Sequence, residues 1–381
     1  MHLHRRGFLG AAACLAAPRM AFAQAATERR MVFILQRGAA DGLDTVVPYA
    51  DPAYAKWRGA LAIDPGQALR LDGNFALHPA LVELHRLFGE GQATFFHAVA
   101  SPYRDRSHFD GQNVLETGGH APYQVKDGWM NRLLAMLPRH GKEAIAFVPV
   151  VPAVLRGAIE VPTYVPTAVP HAGDDLMQRV TQLYAQDARL HALWSAALEA
   201  RGMADGMGAM ANRQDMAGLG RMAAGFLARA DGPRLALIET QGWDTHSAQA
   251  PRLAGQLRNL DRLIVGLREG MGVACEHTAV MVATEFGRTV AANGTGGTDH
   301  GTGAVAMLLG GAVQGGRVVA DWPGLAPGQL LEGRDLQPTL ALDTLIAAVC
   351  AQTYGLDPER VRRVLFPYGT GVQTLPRLLR A

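Results

Sequence analysis

Six short apolar runs punctuate this chain, and stretches with helical apolar spacing separate several of them. Met31–Gln36 is apolar almost throughout and stops at Arg37-Gly38. Such a run reads as a central strand buried on both faces, as in parallel sheets. Ala93–Ala100, Ala144–Val148, Arg234–Thr240, Thr278–Thr284 and Ala304–Leu309 have the same character. Helical spacing is found over Pro79–Phe88, Asp174–Arg201, Met216–Ala230, Arg252–Glu269 and Thr339–Tyr354, with Pro79 suited to a first helical turn. Strands alternating with helices predict an α/β fold whose mostly parallel sheet is covered on both faces. Pro149–Pro170 reads as a loop or insertion over the sheet. The Met-, Gly- and Ala-rich stretch Gly202–Met222 reads as flexible helix packing. With no repeat, heptad or low-complexity linker, residues 24–381 are expected to form one domain.

In open α/β sheets ligands bind at the carboxyl ends of the strands, and this chain puts its unusual polar groups there repeatedly. Asp41 and Asp44 follow the first strand. Arg104-Asp-Arg-Ser107-His108-Phe-Asp110 follows the second. Asp244 and His246 follow Arg234–Thr240, and Glu285 and Arg288 follow Thr278–Thr284. Asp299-His300 comes just before Ala304–Leu309. Each has a plainer reading alone: Asp41 in a turn, Asp244 at a helix start, Asp299-His300 in a glycine loop. Recurrence at one topological position argues for a site. Asp41, Asp244, His246, Glu285, Asp299 and His300 are residue types that ligate zinc and related ions. Asp244 and His246 stand two apart in an extended segment, so their side chains share a face. That pair favours zinc, with manganese or calcium as alternatives, since an imidazole argues against a pure calcium site. His300, with Asp299, completes the sphere from a later loop.

Ser107 has two compatible readings. Ser107-His-Phe-Asp110 resembles a capping box with Asp in place of Glu. A serine opening a helix also suits a nucleophile, because the first N–H groups and the helix dipole stabilise a bound anion. Arg104, Arg106 and Arg288 suit anion oxygens or, equally, ion pairs. There is no Gly-x-Ser-x-Gly elbow, no Gly-Lys-Ser/Thr phosphate loop and no Gly-x-Gly-x-x-Gly fingerprint.

The first 23 residues change the picture of where the protein works. Arg5-Arg6-Gly-Phe8-Leu9, the apolar run Ala11–Ala17 and Ala21-Phe-Ala23 are the parts of an export signal of the twin-arginine type. The run is shorter than the roughly 20 residues of a membrane span. Periplasmic or other export through the twin-arginine machinery is therefore expected, with cleavage near Gln24 and no stable span afterwards. Cleavage removes Arg5, Arg6 and Arg19 and no acidic residue, taking the formal charge from +2 to about −1. A near-neutral mature chain offers no electrostatic case for nucleic acid. Hydrophobic content of 49% against 18% charged residues indicates a large core. Cys275 and Cys350, the two cysteines left, read as buried thiols; they cannot make a thiolate zinc site alone.

Six stretches together resemble the domain-of-unknown-function 1501 family of exported bacterial proteins. They are Arg37-Gly-Ala-Ala-Asp-Gly-Leu-Asp-Thr-Val-Val-Pro48, His78-Pro-Ala-Leu81, Arg106-Ser-His-Phe-Asp-Gly-Gln112, Gly242-Trp-Asp-Thr-His246, Thr284-Glu-Phe-Gly-Arg-Thr289 and Thr298-Asp-His-Gly301. That family in turn resembles the alkaline phosphatase and sulfatase superfamily. The resemblance implies a mixed, mostly parallel sheet sandwiched between helices and metal-assisted hydrolysis of phosphate- or sulfate-type esters, small or polymeric. It implies metal ligands at Asp41, Asp244, His246, Glu285 and His300 and a nucleophile at Ser107. The chain departs from that superfamily at Glu285-Phe286, where an adjacent Asp-His pair is common, and it lacks the sulfatase Cys/Ser-x-Pro-x-Arg motif. A non-catalytic exported binding protein that keeps the fold is the alternative.

Overall fold

The computed structural model describes residues 28–138, 143–165, 174–205, 215–369 and 375–380. The export signal expected at residues 1–23 lies outside them. The strands of the main sheet are β1 (Arg30–Gln36), β2 (Ala93–Ala100), β3 (Ala144–Phe147), β4 (Leu235–Thr240), β5 (Thr278–Thr284), β6 (Ala304–Leu309), β7 (Arg317–Val319) and β8 (Leu340–Ala341). Their order is β7-β2-β6-β5-β1-β4-β3, with β8 pairing β2 at Val99 and Ala100. β1 runs parallel to β4 and β5, and β3 runs parallel to β4. β6 runs antiparallel between β5 and β2. The sheet is thus mixed and mainly parallel, as expected.

The longer helices are α1 (Val82–Gly89), α2 (His108–Thr117), α3 (Trp129–Leu134), α4 (Asp174–Tyr184), α5 (Ala188–Asp205), α6 (Met216–Leu227), α7 (Gln249–Met271), α8 (Leu342–Tyr354) and α9 (Pro358–Leu365), beside short turns of helix at Gly42–Thr45 and Tyr54–Arg58. Every residue of β1 is buried. Met31, Phe33 and Leu35 enter a core with residues of α2, α3, α8 and α9, among them Leu115, Trp129, Leu345 and Leu365. Val32 and Ile34 enter a second core with residues of α1, α6 and α7, among them Leu84, Phe226 and Leu257. Side chains alternate across a strand, so a strand apolar at every position must have a core on each face.

Two details differ from the sequence expectation. The Asp174–Arg201 pattern is two helices, because Asp187 accepts the Arg189 and Leu190 N–H groups at 3.0 Å and starts α5 afresh. Residues 149–165 pack beside α3, with a short turn at Ala153–Leu155 held by the Asn131 amide; residues 166–173 lie outside the described parts. No described helix is long and apolar enough to cross a membrane.

The reversal of β6 matters for the site. The carboxyl ends of β1, β2, β4 and β5 and the amino end of β6 share one edge of the sheet, so all five polar clusters adjoin that edge.

Candidate metal centre at the strand ends

β4 ends at Thr240 and an extended segment carries Asp244 over the edge. Its carboxylate is the hub of the site. His246 Nε2 lies 3.0 Å from Oδ1, His300 Nε2 3.3 Å from Oδ1, and His108 Nε2 3.4 Å from Oδ2. One ligand atom each from His108, Asp244 and His300 falls within 4.8 Å of the others, which is metal-binding spacing. His246 joins from the solvent side, its Nε2 2.9 Å from His300 Nε2.

Each of these imidazoles is oriented through its other nitrogen. His108 Nδ1 meets Glu285 Oε1 at 2.8 Å, His246 Nδ1 meets Asp299 Oδ1 at 3.2 Å, and His300 Nδ1 meets the Arg106 backbone oxygen at 2.8 Å. A carbonyl or carboxylate only accepts, so a neutral ring that keeps its proton on Nδ1 turns an Nε2 lone pair inward. Metal-ligating histidines are oriented in this way. His108 Nε2 is buried without a hydrogen-bond partner. The donor set at this spacing, two imidazoles and a carboxylate, fits zinc.

Glu285, fully buried, stands behind His108. Its Oε1 also accepts the Gly38 N–H at 2.9 Å and the Gln112 amide at 3.1 Å, and its Oε2 accepts the Thr284 hydroxyl. Burial opposes its charge, but the hydrogen bonds from His108, the Gln112 amide and the Gly38 N–H outweigh burial and hold it below the usual carboxylate range. The Glu285 hydrogen bond pushes the pKa of His108 up, whereas burial pushes that of His300 down. Asp244 is half exposed. Burial opposes its charge too, but the Arg288 hydrogen bond and charge hold its pKa low.

The expected residues separate into groups. Asp244, His246 and His300 meet. Asp299 lies behind His246, tied to Asn293. Asp41 is elsewhere: fully buried, it is ion-paired with Arg58, and it accepts from the Gln249 amide at 2.7 Å and the Asp44 N–H at 3.1 Å. Arg288 is buried, with NH1 on Asp244 Oδ1 at 2.7 Å and its other nitrogens on Thr298. Arg106 points away, to Asp335 and Glu332. Ser107 precedes His108 at the N-cap position of α2, and its hydroxyl makes no capping bond. His108 escaped sequence reading because it sits in a stretch that looks like a helix cap; its place beside Ser107 at a strand end was the available signal.

These features define a mixed α/β protein with a histidine–carboxylate cluster at the ligand edge of its sheet. The chain belongs to the family described as "Protein of unknown function (DUF1501)", whose model matches residues 28–365. No curated protein matches the chain. Among solved structures it is similar to the C-terminal periplasmic domain of EptC from Escherichia coli in complex with Zn, at 10% identity, 74% of this chain, 73% of that one and a TM-score of 0.39. It is similar to a protein in the alkaline phosphatase superfamily from Vibrio parahaemolyticus, at 11% identity over 77% and 62% of the two chains, with a TM-score of 0.41. The lipoteichoic acid synthase LtaP from Listeria monocytogenes is similar at 9% identity over 79% and 68%, with a TM-score of 0.40.

Proposed function

We propose that the protein is an exported, divalent-metal-dependent hydrolase of phosphate- or sulfate-type esters. The observation that carries this reading is the convergence of His108, His246 and His300 Nε2 on the Asp244 carboxylate, one residue from Ser107 at a helix start. His108, Asp244 and His300 would hold the ion, with His246 completing the set. Glu285 and Asp299 are assigned to orienting His108 and His246. Asp41 is left out of the ligand set because its oxygens are engaged by Arg58, Gln249 and the Asp44 N–H. Zinc in such a site supplies Lewis acidity and neutralises charge on the transferring group.

Ser107 is assigned as nucleophile. The hydroxyl does not cap its own helix and sits beside the Tyr103 hydroxyl, and the α2 amino terminus presents N–H groups and positive dipole to an anionic group held there. Arg288 holds Asp244 and the Thr298 loop in place; Arg106 is held away by its two carboxylates.

One observation favours a second reading, an exported binding protein without turnover: Arg288 already balances the charge of Asp244. The test is elemental analysis of protein purified without chelators, with a screen of generic phosphate and sulfate esters. Expected are bound zinc or a related divalent metal in wild type, its loss in Asp244→Ala and His300→Ala, and turnover abolished by chelation. Metal without turnover supports the binding protein. No metal after reconstitution sinks the metal-dependent hydrolase and leaves the binding protein.

A further inference from the structure

We propose that Arg106 is a positioning residue whose main-chain carbonyl, held in a left-handed conformation by the buried carboxylate of Asp335, fixes the tautomer of His300. Arg106 has φ of 61°, a region that non-glycine residues rarely occupy. Its side chain supplies a reason. Nε donates to Asp335 Oδ2 at 2.9 Å and NH2 to Glu332 Oε2 at 2.6 Å. Asp335 is fully buried, and its Oδ2 also accepts the Thr302 hydroxyl at 2.8 Å. Its backbone is pinned in turn, by paired bonds with Leu331 and a bridge to Thr289.

The strained residue delivers its carbonyl to His300 Nδ1 at 2.8 Å. Asp244 Oδ1, 3.3 Å from His300 Nε2, pulls the other way, because a carboxylate favours a proton on the nitrogen that faces it. The Arg106 carbonyl opposes that pull and leaves Nε2 a lone pair directed at the cluster. The same loop grips His300 a second time, since Arg334 NH2 donates to the His300 backbone oxygen at 2.6 Å and Arg334 NH1 pairs with Asp335 at 3.2 Å. One buried carboxylate thereby links the residue before the Ser107 helix to the loop that carries His300.

The inference rests on reading His300 as a ligand, and its first readout needs no metal. In full-length, metal-free protein with ¹⁵N-labelled histidine at alkaline pH, long-range ¹H–¹⁵N correlation spectra report the ring tautomer. Expected are an Nδ1–H ring for His300 in wild type and a shift toward Nε2–H in Arg106→Ala and Asp335→Asn. Zinc affinity should fall about 10- to 100-fold in both, the scale for losing an outer-shell partner. Arg106→Lys, which keeps a cation for Asp335, should recover part of each effect. Should Asp335→Asn not fold, the Arg106 variants suffice. An Nε2–H ring in wild type, or an unchanged tautomer in Arg106→Ala, overturns the inference. If wild type binds no zinc yet the tautomer responds to Arg106→Ala, the positioning role stands and the metal reading falls.

Discussion

His246 and His300 face each other through Nε2 at 2.9 Å, so unless one ring donates from Nε2 the two lone pairs oppose each other. Two neutral lone pairs repel, and a shared proton or a cation relieves them. Ser107 offers a test that separates chemistry from architecture. A capping serine replaced by alanine costs about 1 kcal/mol. Ser107 makes no capping bond, so Ser107→Ala should change unfolding free energy by under about 0.5 kcal/mol, as an ordinary surface substitution does, while abolishing ester turnover; denaturant titration and the ester assay read the two effects. His97 gives a pH prediction away from the site. It is fully buried, Nε2 donates to the Val46 oxygen at 2.9 Å and Nδ1 accepts the Ala98 N–H at 2.8 Å, so a second proton has no place. Burial pushes its pKa down to about 4. The unfolded chain, with a histidine pKa of about 6.5, takes up that proton first as pH falls. The stability His97 contributes above about pH 6.5 is therefore lost progressively toward its folded pKa, about 2 kcal/mol of it by about pH 5. Unfolding at about pH 7 and pH 5 should show a smaller acid loss in His97→Gln, which retains one donor and one acceptor.

At the scale of elements, the site depends on strand ends brought into close register. Gly38, two residues past β1, has φ of 119°, its N–H bonds Glu285 beyond β5, and a Cβ there would stand 2.7 Å from the Asp244 backbone nitrogen beyond β4. Three strand ends meet at this residue. Gly38→Ala should cost about 2–4 kcal/mol, since strain and a backbone clash coincide, and should weaken metal binding by displacing Asp244. Calorimetric melting checks the first effect and zinc titration the second. β6 contributes by its direction. An antiparallel strand entering from the ligand edge lets the preceding loop, Thr298–His300, close over Asp244 from the far side.

For the whole molecule, two cores on either side of an almost wholly buried sheet make a rigid platform, and the catalytic candidates sit on its rim rather than in either core. A ligand that binds only the folded state adds stability by mass action, about 2.7 kcal/mol at a hundredfold excess over its Kd. Zinc should raise the melting temperature of wild type and leave that of Asp244→Ala unchanged, measured by thermal unfolding with and without the ion. The proposed export is tested on the full chain. With both Arg5 and Arg6 replaced by lysine, uncleaved protein should accumulate in the cytoplasm, and unimpaired export in a fractionation assay would exclude the twin-arginine route.

The places of the strands and helices were legible in the chain because strand burial and helix periodicity are local, whereas the reversal of β6 was not. Ala93–Ala100, Thr278–Thr284 and Ala304–Leu309 begin and end where the apolar runs do, and clusters at their ends mark one edge by the chemistry of parallel sheets. Asp244 and His246 meet as their two-residue spacing implies. Distant partners were not legible. Arg58 lies 17 residues from Asp41, and nothing in either segment announces a buried ion pair. His108 faces Glu285 across 177 residues, and Arg106 reaches Asp335 across 229. Which acid meets a metal-type cluster and which meets an arginine is decided by strand order and by loop conformations such as the left-handed Arg106. Hydropathy patterns specify faces of elements, whereas ion-pair partners depend on how those elements are stacked, and only the folded chain contains that.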